Sequence, residues 1–358
     1  MKRIGLLAGW LVILLTGCQT DPVDDPVTAT VNYWVERTSW SVASIPATDA
    51  WGIEPLRGRL RWYNPDERHA VLVHDVYPDR EINLQARNIL QSLILEFDPD
   101  SSSGHPERSW GGVMRYIAPE YANLSPPDYL EFMVHLPTSL PTVRLIVDLG
   151  IISEDALPND TLDTEDFPRT PRMSPLYVGD GNGVLEPAED MGLDHQFGTD
   201  PADSARWNGL DRPPVPSWDD WSHSSGSSDF SRINGTEYSR DDISGGYPNT
   251  EDLNRNTVLD RVNQYLSYCA RLDTSNFFIV GGNPAKHWYH FRIPLVARSD
   301  QPEPYLHDVN GGSRDLFRFA RIYLTGCTQS TRVELVDMQL TQDEHGRTFR
   351  QSHPENHD

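Results

Sequence analysis

The chain has 358 residues, of which 37% are hydrophobic and 10% aromatic, and its formal charge is −23. It is long enough to bury a core and too rich in aromatic groups to be disordered throughout. Its acidity argues against nucleic acid as a partner, because a phosphate backbone would be repelled, and against charge-driven adhesion to an anionic membrane. Lysine occurs only at Lys2 and Lys286, the other basic groups being arginines. A surface of this kind suits high salt or divalent cations, since acidic groups stay hydrated there.

The N-terminus reads as a targeting segment. Met1-Lys-Arg is a short positive region, and Ile4 to Leu15 is an apolar run too short for a convincing membrane span. Leu15-Thr-Gly-Cys18 follows and resembles the lipobox of bacterial lipoproteins, which makes residues 1–18 a lipoprotein signal and Cys18 the acylated residue. The alternative is an ordinary secretory signal in which the cysteine has no role. Several acyl chains would anchor the mature chain firmly, because each buried CH₂ adds about 0.8 kcal/mol. Gln19, where an inner-membrane lipoprotein would carry Asp, points to an outer-membrane lipoprotein, on its periplasmic face or at the cell surface. Residues 19–26 are a flexible tether, and their acidic tract Asp21–Asp25 weakly resembles a surface-export signal of Bacteroidetes lipoproteins.

From Val27 the chain shows the alternation of strands. Val31, Tyr33 and Val35 share one side, while Asn32, Trp34 and Glu36 share the other. Further strands are predicted over Leu56–Tyr63, Ala70–Val76 and about Ile89–Phe97. Residues 27–80 form either a small β domain or part of a larger sandwich. Tyr129–Leu136 alternates, and Val143–Leu149 is mostly apolar, as in a strand buried on both faces.

About a hundred residues of turn chemistry come next, from Ile152 to Asn256. So long a stretch inside a compact domain is functional, ion-organised or partly disordered. It carries two acidic runs with the spacing of a twelve-residue calcium loop, in which alternate oxygen donors face a cation and a glycine makes the sharp turn. In the first, Val178 holds the opening position where Asp is expected. Asp180 and Asn182 follow at the third and fifth positions, Gly183 is the turn, Val184 offers its carbonyl, Glu186 follows and Glu189 closes the loop. In the second, Asp252, Asn254 and Asn256 stand at the first, third and fifth positions, Val258 offers its carbonyl and Asp260 follows. Thr257 replaces the glycine and Asn263 the closing Glu. Such loops would hold Ca²⁺ weakly, on the order of 10⁻⁴–10⁻³ M; otherwise they are acidic turns.

Strands are predicted again over Val262–Leu272, Trp288–Leu295, Phe317–Leu324 and Val333–Leu340, with a polar tail over 341–358. Many alternating strands, turn-rich links and no long amphipathic helix indicate an all-β fold. Its form is a two-sheet antiparallel sandwich, jelly-roll-like, with a long irregular acidic insertion over about 152–256. Cys269 and Cys327 form one disulfide in an oxidising compartment, or else remain buried thiols.

An ordered set of phrases carries a family resemblance. It runs from Trp110-Gly-Gly-Val-Met-Arg115 and Tyr129-Leu-Glu-Phe132 through Leu149-Gly-Ile-Ile-Ser-Glu-Asp155 and Gly179-Asp-Gly-Asn-Gly-Val-Leu-Glu186. Ser231–Tyr238, Pro248–Asn254, Leu259–Asn263, Trp288–Pro294 and Arg318–Thr325 complete it. In this order the phrases resemble the repeated extracytoplasmic unit of the SprA family, outer-membrane translocons of type IX secretion that are also required for gliding motility in Bacteroidetes. The resemblance covers roughly residues 85–340 and implies an SprA-like sandwich over about 81–340. The chain is far too short for the family's giant barrel. The resemblance therefore implies a detached, lipid-tethered unit that contacts an envelope protein or a secreted client.

No nucleophile elbow, His-Glu-x-x-His or phosphate loop is present, and no enzyme is expected. His287, His290 and His307 fall in strand-like or loop sequence without a partner pattern. A second reading is a calcium-dependent, glycan-binding jelly roll. It would use Trp207, Trp218 and Trp221 in the insertion, although such residues more often pack an insertion onto its domain.

Overall fold

The computed structural model describes residues 32–47, 50–81, 88–118, 126–166, 181–184, 193, 248–299, 301 and 304–342. The strands in chain order are β1 (Ser41–Val42), β2 (Arg59–Tyr63), β3 (Val71–Leu72), β4 (Ile89–Leu90), β5 (Leu93–Asp98), β6 (Trp110–Tyr116) and β7 (Tyr129–His135). They continue as β8 (Leu140–Ile151), β9 (Gln264–Leu272), β10 (Ile279–Asn283), β11 (Trp288–Pro294), β12 (Leu306–Val309), β13 (Phe319–Thr325) and β14 (Thr331–Thr341). Two six-stranded antiparallel sheets pack face to face. The first has the order β1-β6-β13-β8-β9-β12 and the second β10-β11-β7-β14-β5-β2. The all-β sandwich expected from the alternation is the fold observed.

Period-two patterning builds the core between the sheets. On β7, Leu130, Phe132 and Val134 are buried inward, while Glu131 and His135 face out. Phe132 lies opposite Phe291 of β11, and the two rings stack at 5.2 Å. Val143, Leu145, Val147 and Leu149 of β8 meet them from the first sheet. The Trp110-Gly-Gly phrase has a packing reason. A Cβ on Gly111 would stand 2.5 Å from the Phe97 ring, and one on Gly112 would stand 2.6 Å from Tyr323 Cβ.

The first sheet is buried on its other face too, as the apolar run of β8 predicts. Ile146, Tyr265, Cys269, Phe319 and Tyr323 form a second cluster there with Ala43, Trp51 and Ile53. The N-terminal segment 43–57 is the cover. At its centre lies an ion pair with both side chains fully buried: Arg321 Nη2 and Nε reach Asp148 Oδ2 at 2.6 and 2.8 Å. The same guanidinium donates to the Ser44 carbonyl and hydroxyl at 3.2 and 3.1 Å.

Several expectations are corrected. The described part of the alternation, Asn32–Glu36, does not form a strand. Asn32 Oδ1 accepts the Trp34 amide at 3.0 Å, an Asx turn, and a 3₁₀ turn follows at Arg37–Ser39. Val71–Leu72 is a strand, but Val73–Val76 is a single helical turn, α1. β1 and β2 join the two large sheets, while β3 pairs with β4 in a separate two-stranded sheet. Cys269 and Cys327 are free buried thiols, not a disulfide. Cys269 belongs to the outer cluster and Cys327 to the central core, and burial pushes the Cys327 thiol up to about 11. No described helix is long and apolar enough to cross a membrane.

The ion pair generates a test. Asp148→Ala leaves Arg321 buried without its counter-ion and is expected to cost about 3–5 kcal/mol in urea unfolding. The double replacement Asp148→Leu with Arg321→Met removes both charges and is expected to recover most of that loss. A single variant as stable as the parent would contradict the burial described.

Candidate functional site

The tripeptide Thr-Glu-Asp occurs twice in the insertion, at 164–166 and 250–252. Thr164 and Thr250 face each other as an isolated antiparallel bridge. The Glu165 amide donates to the Asn249 carbonyl at 3.0 Å, and the Glu165 carboxylate accepts the Asn249 amide at 2.6 Å. The Glu251 amide donates to the Asp163 carbonyl, and its carboxylate accepts the Asp163 amide, both at 3.0 Å. The two arms are thus related by a local two-fold, and together they make a neck. Glu251 also accepts the Leu157 amide at 2.8 Å, which ties the neck to the chain leaving β8.

Each Asp then caps a turn. Asp166 accepts the amides of Gly181 at 2.6 Å and Asn182 at 3.2 Å, together with that of Gly183. Asp252 accepts the amides of Asn256 and Thr257 at 2.9 and 2.7 Å. One position on, Asn182 Oδ1 accepts from Val184 at 2.6 Å and Asn256 Oδ1 from Val258 at 2.7 Å. Backbone φ is positive at Gly181 and Gly183 in one turn and at Arg255 and Thr257 in the other. Thr257, at φ +64°, occupies a conformation that glycine adopts without steric cost and that is strained for a β-branched side chain. Asp166 therefore supplies from upstream the opening carboxylate that Val178 lacks.

The second loop is described throughout. Asp252, Asn254, Asn256 and Asp260 lie in one curl, in which Asp260 Oδ2 accepts the Asn254 and Asn256 side-chain amides at 2.7 and 3.4 Å. The Val258 carbonyl is available on the same loop. Asn254 Oδ1 is buried without a hydrogen-bond partner. This all-oxygen set of two carboxylates, two amides and a carbonyl fits a hard cation such as Ca²⁺. Among the described residues, no group of three or more His, Cys, Asp or Glu side chains is arranged to hold a metal. Asn263 is turned away from the loop, and its Oδ1 accepts the Ser153 amide at 3.1 Å. Of the first loop, Asn182 and Val184 are placed, while Asp180, Glu186 and Glu189 lie outside the described residues. Cys18, Trp207, Trp218 and Trp221 lie outside them as well.

Glu154 clamps the second loop to the sandwich. Its carboxylate accepts the amides of Leu253, Asn254 and Asp260 at 2.9, 3.1 and 3.2 Å. Asp166, Glu154, Glu165 and Glu251 were not singled out from the sequence, although the doubled Thr-Glu-Asp was a legible signal for three of them. The histidines serve other ends. His290 Nε2 lies 2.9 Å from Glu131 Oε2 in a surface network with Arg292, and His307 packs edge-on against Trp51 at 4.4 Å. Compared with known proteins, the chain matches no family model and no curated protein.

Burial pushes Glu251 up to about 8 and Glu154 up to about 7, against the backbone amides that pull both down. Asp163 and Asp155 add repulsion at Glu251. The folded state thus holds more protons than the unfolded chain between the ordinary glutamate range and about pH 8. The slope of stability against pH is negative there. The contribution of these groups is full near pH 4.5 and is lost as pH rises to about 8. Urea unfolding at pH 5, 6.5 and 8 is expected to show that decline, and Glu251→Gln is expected to flatten it. Identical profiles for parent and variant would remove Glu251 as the cause.

Proposed function

We propose that the chain is a non-enzymatic lipoprotein of the bacterial outer membrane, with a sandwich that serves as a binding or structural module and an insertion ordered by Ca²⁺. The observation that carries this reading is the neck, where two Thr-Glu-Asp arms each hold a calcium-type turn against the sandwich. One arm of the neck falls within Pro248–Asn254, and the turn capped by the other arm falls within Gly179–Glu186, both among the phrases that resemble the SprA unit. The lipobox-like Leu15–Cys18 supplies the anchor. In this reading the chain is an accessory component of type IX secretion or gliding-type machinery, and its partner is an envelope protein or a secreted client.

Calcium has a defined role in this proposal. Asp252, Asn254, Asn256, the Val258 carbonyl and Asp260 would hold it, and a bound cation would give the orphaned Asn254 oxygen a partner. With a dissociation constant on the order of 10⁻⁴–10⁻³ M, 5 mM Ca²⁺ is expected to add about 1–2 kcal/mol to the stability of the full chain. The gain should be reversed by EDTA and abolished in Asp252→Ala, as read by thermal unfolding. No response at millimolar Ca²⁺ would leave two acidic turns and no metal.

The anchor and the role are tested together in cells. Cys18→Ser is expected to abolish labelling by a fatty-acid probe and to release the chain from the outer-membrane fraction. Loss of the whole gene is expected to change secretion, motility or surface protein composition. A Cys18→Ser chain that stays in the outer membrane, or a deletion strain with none of those changes, would overturn the respective part of the proposal.

A further inference from the structure

The neck meets the first sheet where the edge of that sheet is open. β1 is two residues long and pairs Ser41 with Met114 and Val42 with Val113, whereas β6 continues to Tyr116. Among the described residues, no strand pairs with Arg115 and Tyr116 on that side. The arm 248–255 stands across the gap. Between the two lies a cavity of about 290 Å³, at the small end of the range for ligand sites. Ser39, Ser41 and Tyr116 line it from the sheet side, and Asn249, Thr250 and Asp252 line it from the neck.

The charged groups at this cavity are engaged elsewhere. The Asp252 carboxylate accepts the amides of Asn256 and Thr257. Arg115 is buried, with its guanidinium carbon 5.6 Å from the centroids of the Trp34 and Trp40 rings and 6.0 Å from that of Tyr33. What the walls offer is a set of neutral hydrogen-bonding groups. Ser39, Ser41 and Thr250 carry hydroxyls, which both donate and accept. The Thr250 hydroxyl accepts the Asp252 amide at 3.1 Å and keeps its own hydrogen to donate. Asn249 is 9% exposed, and its main chain is tied to Glu165. Its Nδ2 is buried without a hydrogen-bond partner. A buried donor left unmet is costly, so it marks a place for a ligand acceptor. The half-buried Tyr116 ring is held against Phe319 at 5.2 Å.

We propose that this cavity binds one unit of a neutral saccharide, with Asn249 Nδ2 donating to a sugar oxygen and Tyr116 against the C–H face of the ring. A sugar hydroxyl donates and accepts at once, which matches an amide donor set among three hydroxyls. An aromatic side chain beside polar groups suits a ligand that is apolar on one face and polar at its edges. Charge favours neutrality. The field of a chain with charge −23 repels anions, and a cation entering here would meet Arg115 and Arg255. The proposal goes beyond the accessory role stated above and does not draw on calcium.

Saturation-transfer NMR of the full chain in EDTA tests the proposal, and its outcome is separate from the calcium response. The probes are glucose, galactose, mannose, fucose and N-acetylglucosamine, each up to about 50 mM, a range that reaches weak sites. Glucuronate serves as the anionic control, and N-acetyl-trialanine amide as a peptide that could pair with the open edge of β6. Saturable binding of at least one of the five neutral sugars is expected, undisturbed by the peptide. Ser39→Phe places a ring in the cavity from a half-buried position. It is expected to keep the parent melting temperature and to abolish the signal. Asn249→Leu is expected to weaken binding about fivefold or more, and its melting temperature reports any damage to the neck. The proposal fails if none of the five sugars binds, or if a folded Ser39→Phe chain binds as the parent does. It also fails if glucuronate binds more tightly than all five, or if the peptide displaces the sugar.

Discussion

The pair between Arg321 and Asp148 dictates much of what surrounds it. Two charges at the middle of a sheet face cannot be left half-covered, because removing ions from water costs several kcal/mol unless their hydrogen-bonding groups are met. Asp148 and Arg321 sit opposite each other on β8 and β13, so the sheet supplies the pair. The Ser44 carbonyl and hydroxyl meet the outward side of the guanidinium, and the Tyr265 ring lies 4.9 Å from it. The covering segment is then fastened along its length. Trp51 Nε1 donates to Ser267 at 2.8 Å, and buried Arg57 donates to the carbonyls of Ala43 and Ala156. Through Arg57 the cover is linked to the chain that leads into the neck.

The neck solves a related problem with carboxylates in place of strands. Where 163–165 and 249–251 meet, the ladder is only one bridge long, and several amides have no carbonyl to face. Glu165 and Glu251 supply those acceptors from side chains, and Glu154 does the same for amides of the second loop. An acidic residue used in this way is buried for its oxygens, which separates it from the solvated carboxylates that give the chain its charge. The same three residues would be poor candidates for catalysis on geometric grounds, because backbone amides of the protein itself occupy their oxygens.

Strand alternation made most of the sandwich legible. β2, β5, β7, β8, β9, β11, β13 and β14 all overlap the runs read from the sequence, since their inward and outward residues differ in polarity or, on β8, are mostly apolar on both faces; β8 and β14 extend past those runs at both ends. β10 and β12 escaped because both are short edge strands. Val280, Gly281 and Gly282 of β10 are exposed, so no hydrophobic period marks them. Alternation misled over Asn32–Glu36, where the chain turns and the adjacent Trp34 and Val35 are both buried. The second calcium-type loop was legible from spacing alone. The capping role of Asp166 was not, because no local spacing rule reaches from 166 to 181. Cysteine count suggested a disulfide, but β9 carries Cys269 to one face of the first sheet while Cys327 belongs to the core on the other.

The neck also sets how the chain tolerates change in length. Ile151 and Gln264 are paired neighbours, and Glu165 and Asn249 are again neighbours further out. The described chain thus leaves at Asp166 and returns at Pro248 at adjacent points. For a flexible closed loop, the entropic cost rises only with the logarithm of its length, by about 0.6 kcal/mol for each doubling. The stretch beyond the neck can therefore lengthen, shorten or be exchanged for another of different recognition chemistry. The sandwich would need its two Thr-Glu-Asp arms to remain in register and a side chain to take the place of Leu193 against Val42, Ala156 and Leu157.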